Sequence, residues 1–526
     1  MNSIYKKILS YEYIPIASLI ALCLLAGIFT AKDYGESWDE TQIFDYAHYS
    51  MQAYQYILHP NDLSLFVRDF NYYGPAYFMI ADISSRFINQ LIPAISIITT
   101  RHFVYFFTSL TGILVLYLLS RRWMSKWAAF GASLLFTSQP LIWGHSFINP
   151  KDIPFMVFFL ISVYLGLLMI DAAPNSKWKW VVLAGIILGL TISMRVVAPL
   201  AGFLVLMYGL LKFPRKTITI APFYFLIAGI ATFLTWPYLW KVGIGGFFES
   251  LKLMSKFPYK GQILFMGDLY FANQLPRRYF PTLLGLQLTE PALILIGIGL
   301  MVSLWSFIKK EKKEPILLFA GWFLVPTLWV VLSRSPLYDN ARQLLFLWPP
   351  LFILAGLGID RLTPFIKLPL LRSAFLIVMI LPGIYASVDL YPYEYIYYNS
   401  LVGGVRGAYR KFELDYWDVS FRESMDYINK ASLPRTGIIV IGASHVAKEY
   451  ARSDLSIGVL TEQYSRPDLS IFVLDKTSLS KGSYSFILAS TRSNEDLTRY
   501  TTSDVVFTVK RDDSVLAYVK KINFGQ

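Results

Sequence analysis

Four carboxylates fall close together just after the first long apolar run of the chain, 13–30. They are Glu36, Asp39, Glu40 and Asp45. An ionised carboxylate can accept the proton of an attacking hydroxyl group, which is the work of a general base. Acids at the end of an apolar run therefore indicate either a reaction at a membrane surface or the start of a helix.

The helix-start interpretation rests on the spacing of two of these residues. Ser37 followed three residues later by Glu40 is the pattern of a capping box, in which each side chain bonds the other's backbone amide. Asp39 would then lie in the first turn, where the helix dipole favours its ionised form. Both interpretations can hold together, because Ser37 and Glu40 can cap the helix and leave the Asp39 carboxylate for chemistry.

Basic, polar and aromatic residues that could bind a phosphate occur in later segments. Arginine presents a forked donor that matches phosphate oxygens, and a basic residue offsets charge that develops on a leaving phosphate. The candidates for this binding are Tyr73, His145, Lys151, Asp152, Arg195 and Arg342. Candidates for contacts with a sugar or an acceptor are Trp38, Trp240, Asp415 and Trp417.

Simpler roles are open for several of these candidates. Lys151 and Asp152 could form a surface ion pair of little energetic value. His145 could be a structural hydrogen-bonding residue, since no metal-type spacing surrounds it. The aromatic residues could be anchors at the membrane interface. Arg195 is harder to dismiss, because a charge at the end of an apolar span is costly without a partner.

The composition indicates a protein that crosses a membrane many times. Of 526 residues, 55% are hydrophobic, 17% are aromatic and only 16% are charged, against about 25% charged in soluble proteins. The net charge of +13 lies mainly in short loops between apolar runs, so it indicates membrane topology and not a nucleic-acid partner. The single cysteine, Cys23, excludes a disulfide bond within the chain.

The apolar runs predict eleven transmembrane helices. Loops rich in lysine and arginine alternate with other loops, so one orientation places all of them in the cytoplasm. The N-terminus, with Lys6 and Lys7, is then cytoplasmic, and the first run is an uncleaved span because no small-residue cleavage site follows it. The predicted spans are 13–30, 102–119, 127–142, 154–170, 180–194, 196–211, 218–236, 291–308, 316–333, 344–360 and 371–388.

The predicted transmembrane domain is 1–389, and two of its external loops are long. The first, 31–101, carries the candidate acid and juxtamembrane helices. Its segment 77–98 is predicted to lie at the membrane interface, because Asp82 and Arg86 interrupt it and a further span would reverse the charge pattern. The second loop, 237–290, is aromatic and could carry further interfacial helices.

The tail, 390–526, is predicted to be a small extracytoplasmic α/β domain. A polar helix at 420–430 is followed by short runs that are mostly rich in β-branched or aromatic residues and are separated by turn residues. The predicted strands are 437–441, 470–474, 484–489, 505–509 and 515–519.

The order of these motifs resembles that of the membrane-integrated GT-C glycosyltransferases, in particular the protein O-mannosyltransferase and aminoarabinose-transferase branch. The resemblance begins with Ser37-Trp38-Asp39-Glu40 after the first span and continues with the aromatic-Gly-Pro step at 73–75. Late in the membrane part, 342–350 is similar to the Arg-aromatic…Leu-Pro…Pro pattern that begins a late span in these enzymes. Segment 392–417 is similar to a stretch in bacterial members.

This resemblance implies an all-α GT-C fold and a sugar donor carried on a polyprenyl monophosphate. Asp39 would be the catalytic general base, with Glu40 as the second catalytic candidate in a supporting role, and Arg342 would lie near the donor phosphate. Gly74-Pro75 replaces the paired prolines of relatives, so the donor contacts do not carry over fully. Lys151 and Arg195 are candidates from charge and topology alone.

The resulting hypothesis is a multi-pass glycosyltransferase of the plasma (inner) membrane with its active site and C-terminal domain on the periplasmic side. Its partners would be a polyprenyl-phosphate sugar, membrane lipids and an acceptor glycan, lipid or protein. The sequence requires no cofactor, predicts no metal ligands and leaves dependence on a divalent metal open. The alternatives are a lipid-linked sugar flippase or transporter, and an oligosaccharyltransferase with a diphosphate carrier.

Overall fold

The computed structural model describes residues 13–66, 69–173, 178–311, 313–460, 471–473, 484–498 and 503–522. Lys6 and Lys7, on which the cytoplasmic placement of the N-terminus partly rests, lie outside the described residues.

Helices form most of the described chain up to residue 390. They are α1 (Ile14–Thr30), α2 (Glu40–Gln52), α3 (Ala76–Leu91), α4 (Ile97–Ser120), α5 (Lys126–Thr137), α6 (Pro140–Ile148), α7 (Asp152–Ala172), α8 (Trp178–Met194), α9 (Pro199–Lys212), α10 (Pro214–Leu234), α11 (Pro237–Val242), α12 (Gly245–Ser255), α13 (Tyr279–Gln287), α14 (Glu290–Ile308), α15 (Lys313–Ser333), α16 (Trp348–Leu362) and α17 (Pro369–Leu390).

Proline and serine set the starts of many of these helices. Pro140, Pro199 and Pro214 open α6, α9 and α10, where the fixed backbone angle suits a helix and the missing amide hydrogen is not needed. The hydroxyl of Ser96 accepts a hydrogen bond from the amide of Thr99 at 3.1 Å and caps α4. These starts place the helix ends, and therefore the loops that carry the candidate residues.

The polytopic membrane fold predicted from the sequence is confirmed, but the count of eleven spans is not. In the described part of the chain, eight helical segments are long and apolar enough to cross a membrane. Helices α8 and α9 are apolar but shorter. The predicted span 127–142 is divided between α5 and α6, because Pro140 cannot donate the amide hydrogen that a continuous helix needs. The segments that qualify are α1 with the turn after it, α4, α7, α10, α14, α15, α16 with the turns on either side of it, and α17.

The segment 31–101, which is predicted to be the first external loop, contains the helices α2 and α3. Helix α3 buries Tyr77, Phe78 and Asp82 on one side and exposes Ile83 and Phe87 on the other. Such a two-sided pattern is typical of a helix at a surface. Its placement at the membrane interface stays a prediction.

The second long loop contains a strand pair as well as helices. β1 (Gln262–Phe265) and β2 (Asp268–Phe271) form an antiparallel hairpin between α12 and α13. Its turn is tied down by a hydrogen bond from the amide of Gly267 to the carbonyl of Lys411 at 2.9 Å. The sequence analysis predicted only helices here, because four-residue strands carry too little alternation to be recognised.

A mixed six-stranded sheet dominates the C-terminal part. Its strand order is β5-β4-β3-β6-β8-β7, with β8 antiparallel to both β6 and β7 and the other pairs parallel. Five of these strands were predicted, while β4 was missed because its Gly458 weakens the strand pattern. The domain boundary at 389/390 stays a prediction. The elements are α18 (Gly404–Ala408), α19 (Phe421–Ala431), β3 (Gly437–Ile441), α20 (Ser444–Tyr450), β4 (Ser456–Val459), β5 (Ile471–Val473), β6 (Tyr484–Ser490), α21 (Glu495–Thr498), β7 (Asp504–Arg511) and β8 (Ser514–Lys521).

The C-terminal part holds the loop that leads into α2. The amide of Trp38 donates to the carbonyl of Trp417 at 3.2 Å, and Nε2 of His445 bonds the carbonyl of Trp38 at 2.7 Å. Gly35 lies so close to this part that an added Cβ would come within 2.7 Å of the carbonyl oxygen of Val419. Backbone contacts across this boundary therefore fix the position of Asp39.

Candidate active site

The start of α2 differs from the predicted capping box in a way that bears on Asp39. The amide of Ser37 donates to Oε1 of Glu40 at 2.8 Å, as predicted. The Ser37 hydroxyl instead donates to the carbonyl of Ile148 at 2.7 Å. Asp39 therefore occupies the cap position without a side-chain capping bond. The prediction that Ser37 caps the helix is wrong, because the free carbonyl at the end of α6 takes its hydroxyl.

Asp39 lies between two cations. Its Oδ2 is 2.7 Å from Nζ of Lys151 and 3.2 Å from an Nη atom of Arg342. Burial alone would raise the pKa of this carboxyl, but the positive charges of Lys151 and Arg342 outweigh it and hold the pKa below its usual value. Asp39 is therefore ionised at neutral pH, which a general base requires.

Asp152 joins the cations to the start of α7. Its Oδ2 accepts a hydrogen bond from Nη1 of Arg342 at 2.6 Å, and its Oδ1 is paired with Arg195. Oδ1 of Asn149 accepts hydrogen bonds from the backbone amides of Lys151 and Asp152 at 3.0 and 2.7 Å. Asp152 thus supplies the partner that Arg195 needs.

The interpretation of Lys151 and Asp152 as a surface ion pair is wrong. Both residues are buried, with exposed fractions of 8% and 2%. Each pairs with a charge on a different element, since Lys151 contacts Asp39 and Asp152 contacts Arg195 and Arg342. Buried charges of this kind are costly to leave without their partners.

Arg342 is held by the segment that directly precedes it. Its Nε donates to Oδ2 of Asp339 at 3.0 Å, and its guanidinium lies 4.5 Å from the centre of the Trp417 ring. Trp417 in turn donates its indole hydrogen to the same Asp339 oxygen at 3.2 Å. The planar guanidinium is thereby fixed by an acid at its edge and an aromatic face beside it.

A cavity of about 320 Å³ opens beside these charges. The segments 31–101 and 237–290 and the C-terminal sheet all contribute to its wall. The rings of Tyr259 and Tyr338 stack at 4.4 Å within that wall. Among the residues that line the cavity are Trp38, Asp39, Tyr73, Lys151, Tyr259, Tyr338, Asp339, Arg342, Trp417, Ser490 and Arg492.

Other predicted site residues lie outside this cavity wall. Glu40 is buried, bonds the amide of Ser37 and lies 3.2 Å from Nε2 of His102. Trp240 donates to the carbonyl of Phe233 at 2.6 Å and packs against α2 and the turns that follow it. Asp415 accepts the amides of Val419 and Ser420 at 2.9 and 3.1 Å. These contacts hold the fold around the site.

His145 has a structural environment. Its Nε2 lies 2.8 Å from the Tyr416 hydroxyl, and its Nδ1 lies 3.1 Å from the amide nitrogen of Asn149. Burial lowers the pKa of His145 to about 3, so the imidazole is neutral and offers no positive charge to a phosphate. Among the described residues, no group of three or more His, Cys, Asp or Glu side chains could hold a metal ion.

The sequence analysis missed several residues of the cavity wall. Asp339 stands three residues before Arg342 in the same loop, so its place is visible in the sequence, whereas its pairing with Arg342 and Arg492 is not. Arg492 gave no signal, since it is 153 residues from Asp339, with which it pairs. The stacked pair Tyr259 and Tyr338 likewise joins two separate loops.

Comparisons with known proteins support the resemblance inferred from the sequence. Residues 22–243 match the family profile described as dolichyl-phosphate-mannose-protein mannosyltransferase. Among curated proteins, no sequence matches this chain significantly.

Two solved structures share the fold over nearly the whole length. They are ArnT from Cupriavidus metallidurans in the apo state and bound to undecaprenyl phosphate. The identities are 16% and 15%, each TM-score is 0.52, and each match covers 96% of this chain and 97% of the other. The likeness of fold inferred from the sequence is thereby confirmed.

Proposed function

We propose that this chain, a multi-pass membrane protein with the GT-C glycosyltransferase fold, transfers a sugar from a polyprenyl-monophosphate donor to an acceptor hydroxyl outside the plasma membrane. The observation that carries this proposal is Asp39 at the wall of a cavity, paired with Lys151 and Arg342. This reaction needs a base to accept the proton of the acceptor hydroxyl and cations to bind the donor phosphate, and Asp39 lies beside two such cations. The undecaprenyl phosphate bound by the similar ArnT is a lipid of the proposed kind.

The chemistry is one displacement at the anomeric carbon of the sugar. The acceptor hydroxyl oxygen forms the new bond to that carbon, and its proton passes to Asp39. The bond from the carbon to the phosphate oxygen breaks, and its electron pair leaves with the polyprenyl phosphate. Lys151 and Arg342 offset the charge that grows on this oxygen.

The ion pairs of Asp39 also account for how the base is prepared. Both cations contact the same oxygen, Oδ2, which leaves Oδ1 for the acceptor hydroxyl. A bound donor phosphate competes with Asp39 for Lys151 and Arg342, because its diester oxygens carry one full negative charge. The pKa of Asp39 then rises from its depressed value, and the carboxylate becomes a stronger base when the donor is present.

The proposal also assigns a side of the membrane to each partner. The donor lipid reaches the cavity from the outer leaflet, and the N-terminus and C-terminal domain lie on the cytoplasmic and periplasmic sides. The plasma (inner) membrane is the proposed location. The acceptor is a glycan, a lipid or a protein that presents a hydroxyl group.

Asp39→Asn tests the proposed base. We expect sugar transfer to fall at least about 100-fold, since general base catalysis contributes factors of that size. Purified full-length protein in lipid nanodiscs receives a panel of undecaprenyl-phosphate sugars and a membrane extract as acceptor. Release of undecaprenyl phosphate is followed by thin-layer chromatography.

Asp45→Asn is the matched control, because Asp45 is an exposed acid on the same helix and does not line the cavity. It should keep full activity. Full activity of Asp39→Asn would remove Asp39 from the mechanism. If the wild-type protein moves the lipid-linked sugars between leaflets without cleaving them, the protein is a transporter.

A further inference from the structure

Three consecutive residues before Arg342 have an uncommon backbone conformation. Asp339, Asn340 and Ala341 have φ angles of 53°, 55° and 58°. The left-handed region is unfavourable for most residues with a side chain, and although Asp and Asn adopt it singly, a run of three that includes Ala341 is uncommon. This turn therefore persists only because other parts of the protein hold it.

The contacts that hold the turn come from residues beyond 390. The Asn340 side chain donates to the carbonyl of Glu413 at 2.9 Å, and the Tyr398 hydroxyl donates to Asn340 at 3.0 Å. The Trp417 indole donates to Asp339 at 3.2 Å. Arg492 lies two residues after the end of β6 and pairs with Oδ1 of Asp339, whereas the Trp417 indole bonds Oδ2.

Arg492 joins the C-terminal sheet to the turn by charge. Its side chain is 14% exposed and also contacts Oε1 of Glu413 at 3.1 Å. Asp339 thus bonds two arginines, Arg492 through Oδ1 and Arg342 through Oδ2. The charges alternate from Arg492 through Asp339 and Arg342 to Asp39.

We propose that Arg492 is a positioning residue, through which the C-terminal domain locks the turn at 339–341 and aims Arg342 at Asp39 and the donor phosphate. The part about the phosphate rests on the proposed function, whereas the locking of the turn does not. Without Arg492, one oxygen of a buried aspartate loses its cation, and the strained turn loses the tie between Asp339 and the sheet.

Hydrogen exchange of the full-length protein tests the lock without any assay of sugar transfer. In Arg492→Gln, the backbone amides of 339–347 should exchange at least about tenfold faster, because local opening sets their protection. Arg492→Lys keeps the positive charge and should restore part of the protection of 339–347 against exchange. Unchanged exchange at 339–347 in Arg492→Gln would overturn the proposal, and so would equal acceleration throughout β6 and β8.

Arg511→Gln is the matched control for general docking of the domain. Arg511 donates to the carbonyl of Tyr391 at 2.9 Å and pairs with Glu423, so it ties β7 to the residue that directly follows α17. It does not line the cavity. Exchange at 339–347 should stay at the wild-type rate in this variant, and a rise equal to that of Arg492→Gln would overturn a specific role for Arg492.

Binding of undecaprenyl phosphate in nanodiscs tests the second half of the proposal. The dissociation constant should rise about tenfold in Arg492→Gln and stay unchanged in Arg511→Gln, since one misplaced charge-assisted bond costs about that factor. An unchanged constant in Arg492→Gln overturns the aiming of Arg342. If the wild-type protein binds no undecaprenyl phosphate, the proposed function fails, and the exchange result still decides whether the turn is locked.

Discussion

At the scale of single residues, the site is a set of acids and bases that hold one another in defined charge states. Asp39 is kept ionised by Lys151 and Arg342. Glu36, three residues earlier, is in the opposite situation. It is buried away from the cavity wall, and burial and the charge of Glu40 raise its pKa to about 8. Two acids of one loop thus differ in charge at neutral pH because of their surroundings.

Removal of Lys151 should change both donor binding and the pH profile. In Lys151→Met, the dissociation constant for undecaprenyl phosphate should rise about tenfold or more, because a charge-assisted contact is lost. The pKa of Asp39 should rise when one of its two cations is gone. Activity is lost as pH falls through that pKa, so the acid limb of kcat/KM should move to higher pH. Lys151→Arg should keep most of the binding, and a Lys151→Met profile identical to the wild type would contradict the pairing.

Glu36→Gln should alter the pH dependence of stability. A carboxyl with a pKa of about 8 in the folded protein and about 4.5 when exposed binds more protons when folded. The contribution of Glu36 to the free energy of unfolding is therefore full below about pH 4.5 and falls as the pH rises to about 8. Above about pH 8 this contribution no longer changes. Melting temperatures from intrinsic fluorescence should decline less between pH 5 and 8 in Glu36→Gln than in the wild type. The exposed Glu311→Gln should follow the wild type.

At the scale of elements, the site depends on where helices and strands begin and end. Asp39 precedes α2, Asp152 opens α7, and Arg342 lies in the 3₁₀ turns before α16. Helix ends expose backbone groups and allow side chains to reach inward, which explains why the charges meet there. The loop at Gly35 packs closely against the C-terminal part and so holds the start of α2, next to Asp39, against it.

Gly35→Ala should disturb this approach. The added methyl group would lie 2.7 Å from the Val419 carbonyl, so the loop before Asp39 has to move. We expect a lower melting temperature and weaker binding of undecaprenyl phosphate. Gly229→Ala in α10 is the control, because an added Cβ there meets no atom within 4 Å and alanine favours a helix. Equal stability of both variants would contradict the packing argument.

At the scale of the whole molecule, the sequence carried the class of fold but not the assembly of the site. Apolar runs and loop charges predicted a polytopic helical protein because hydropathy reports burial directly. Asp39 and Arg342 were predicted as separate candidates, and their contact across 303 residues could not be, since it depends on tertiary packing. Arg492 could not be predicted as a site residue, because its contact with Asp339 also depends on tertiary packing. The hairpin at 262–271 was missed because its strands are only four residues long.

The sharing of Lys151 and Arg342 between Asp39 and a phosphate has a consequence for the kinetic order of substrates. If the acceptor binds first, the Asp39 carboxylate is still paired with Lys151 and Arg342. Its pKa is then low, so it is a weak base for the acceptor hydroxyl. We expect the donor lipid to bind first and the acceptor second. Initial-rate plots should then intersect, and free polyprenyl phosphate should inhibit competitively against the donor. The empty protein keeps its base at rest, and Asp39 becomes an effective base only once the donor is bound.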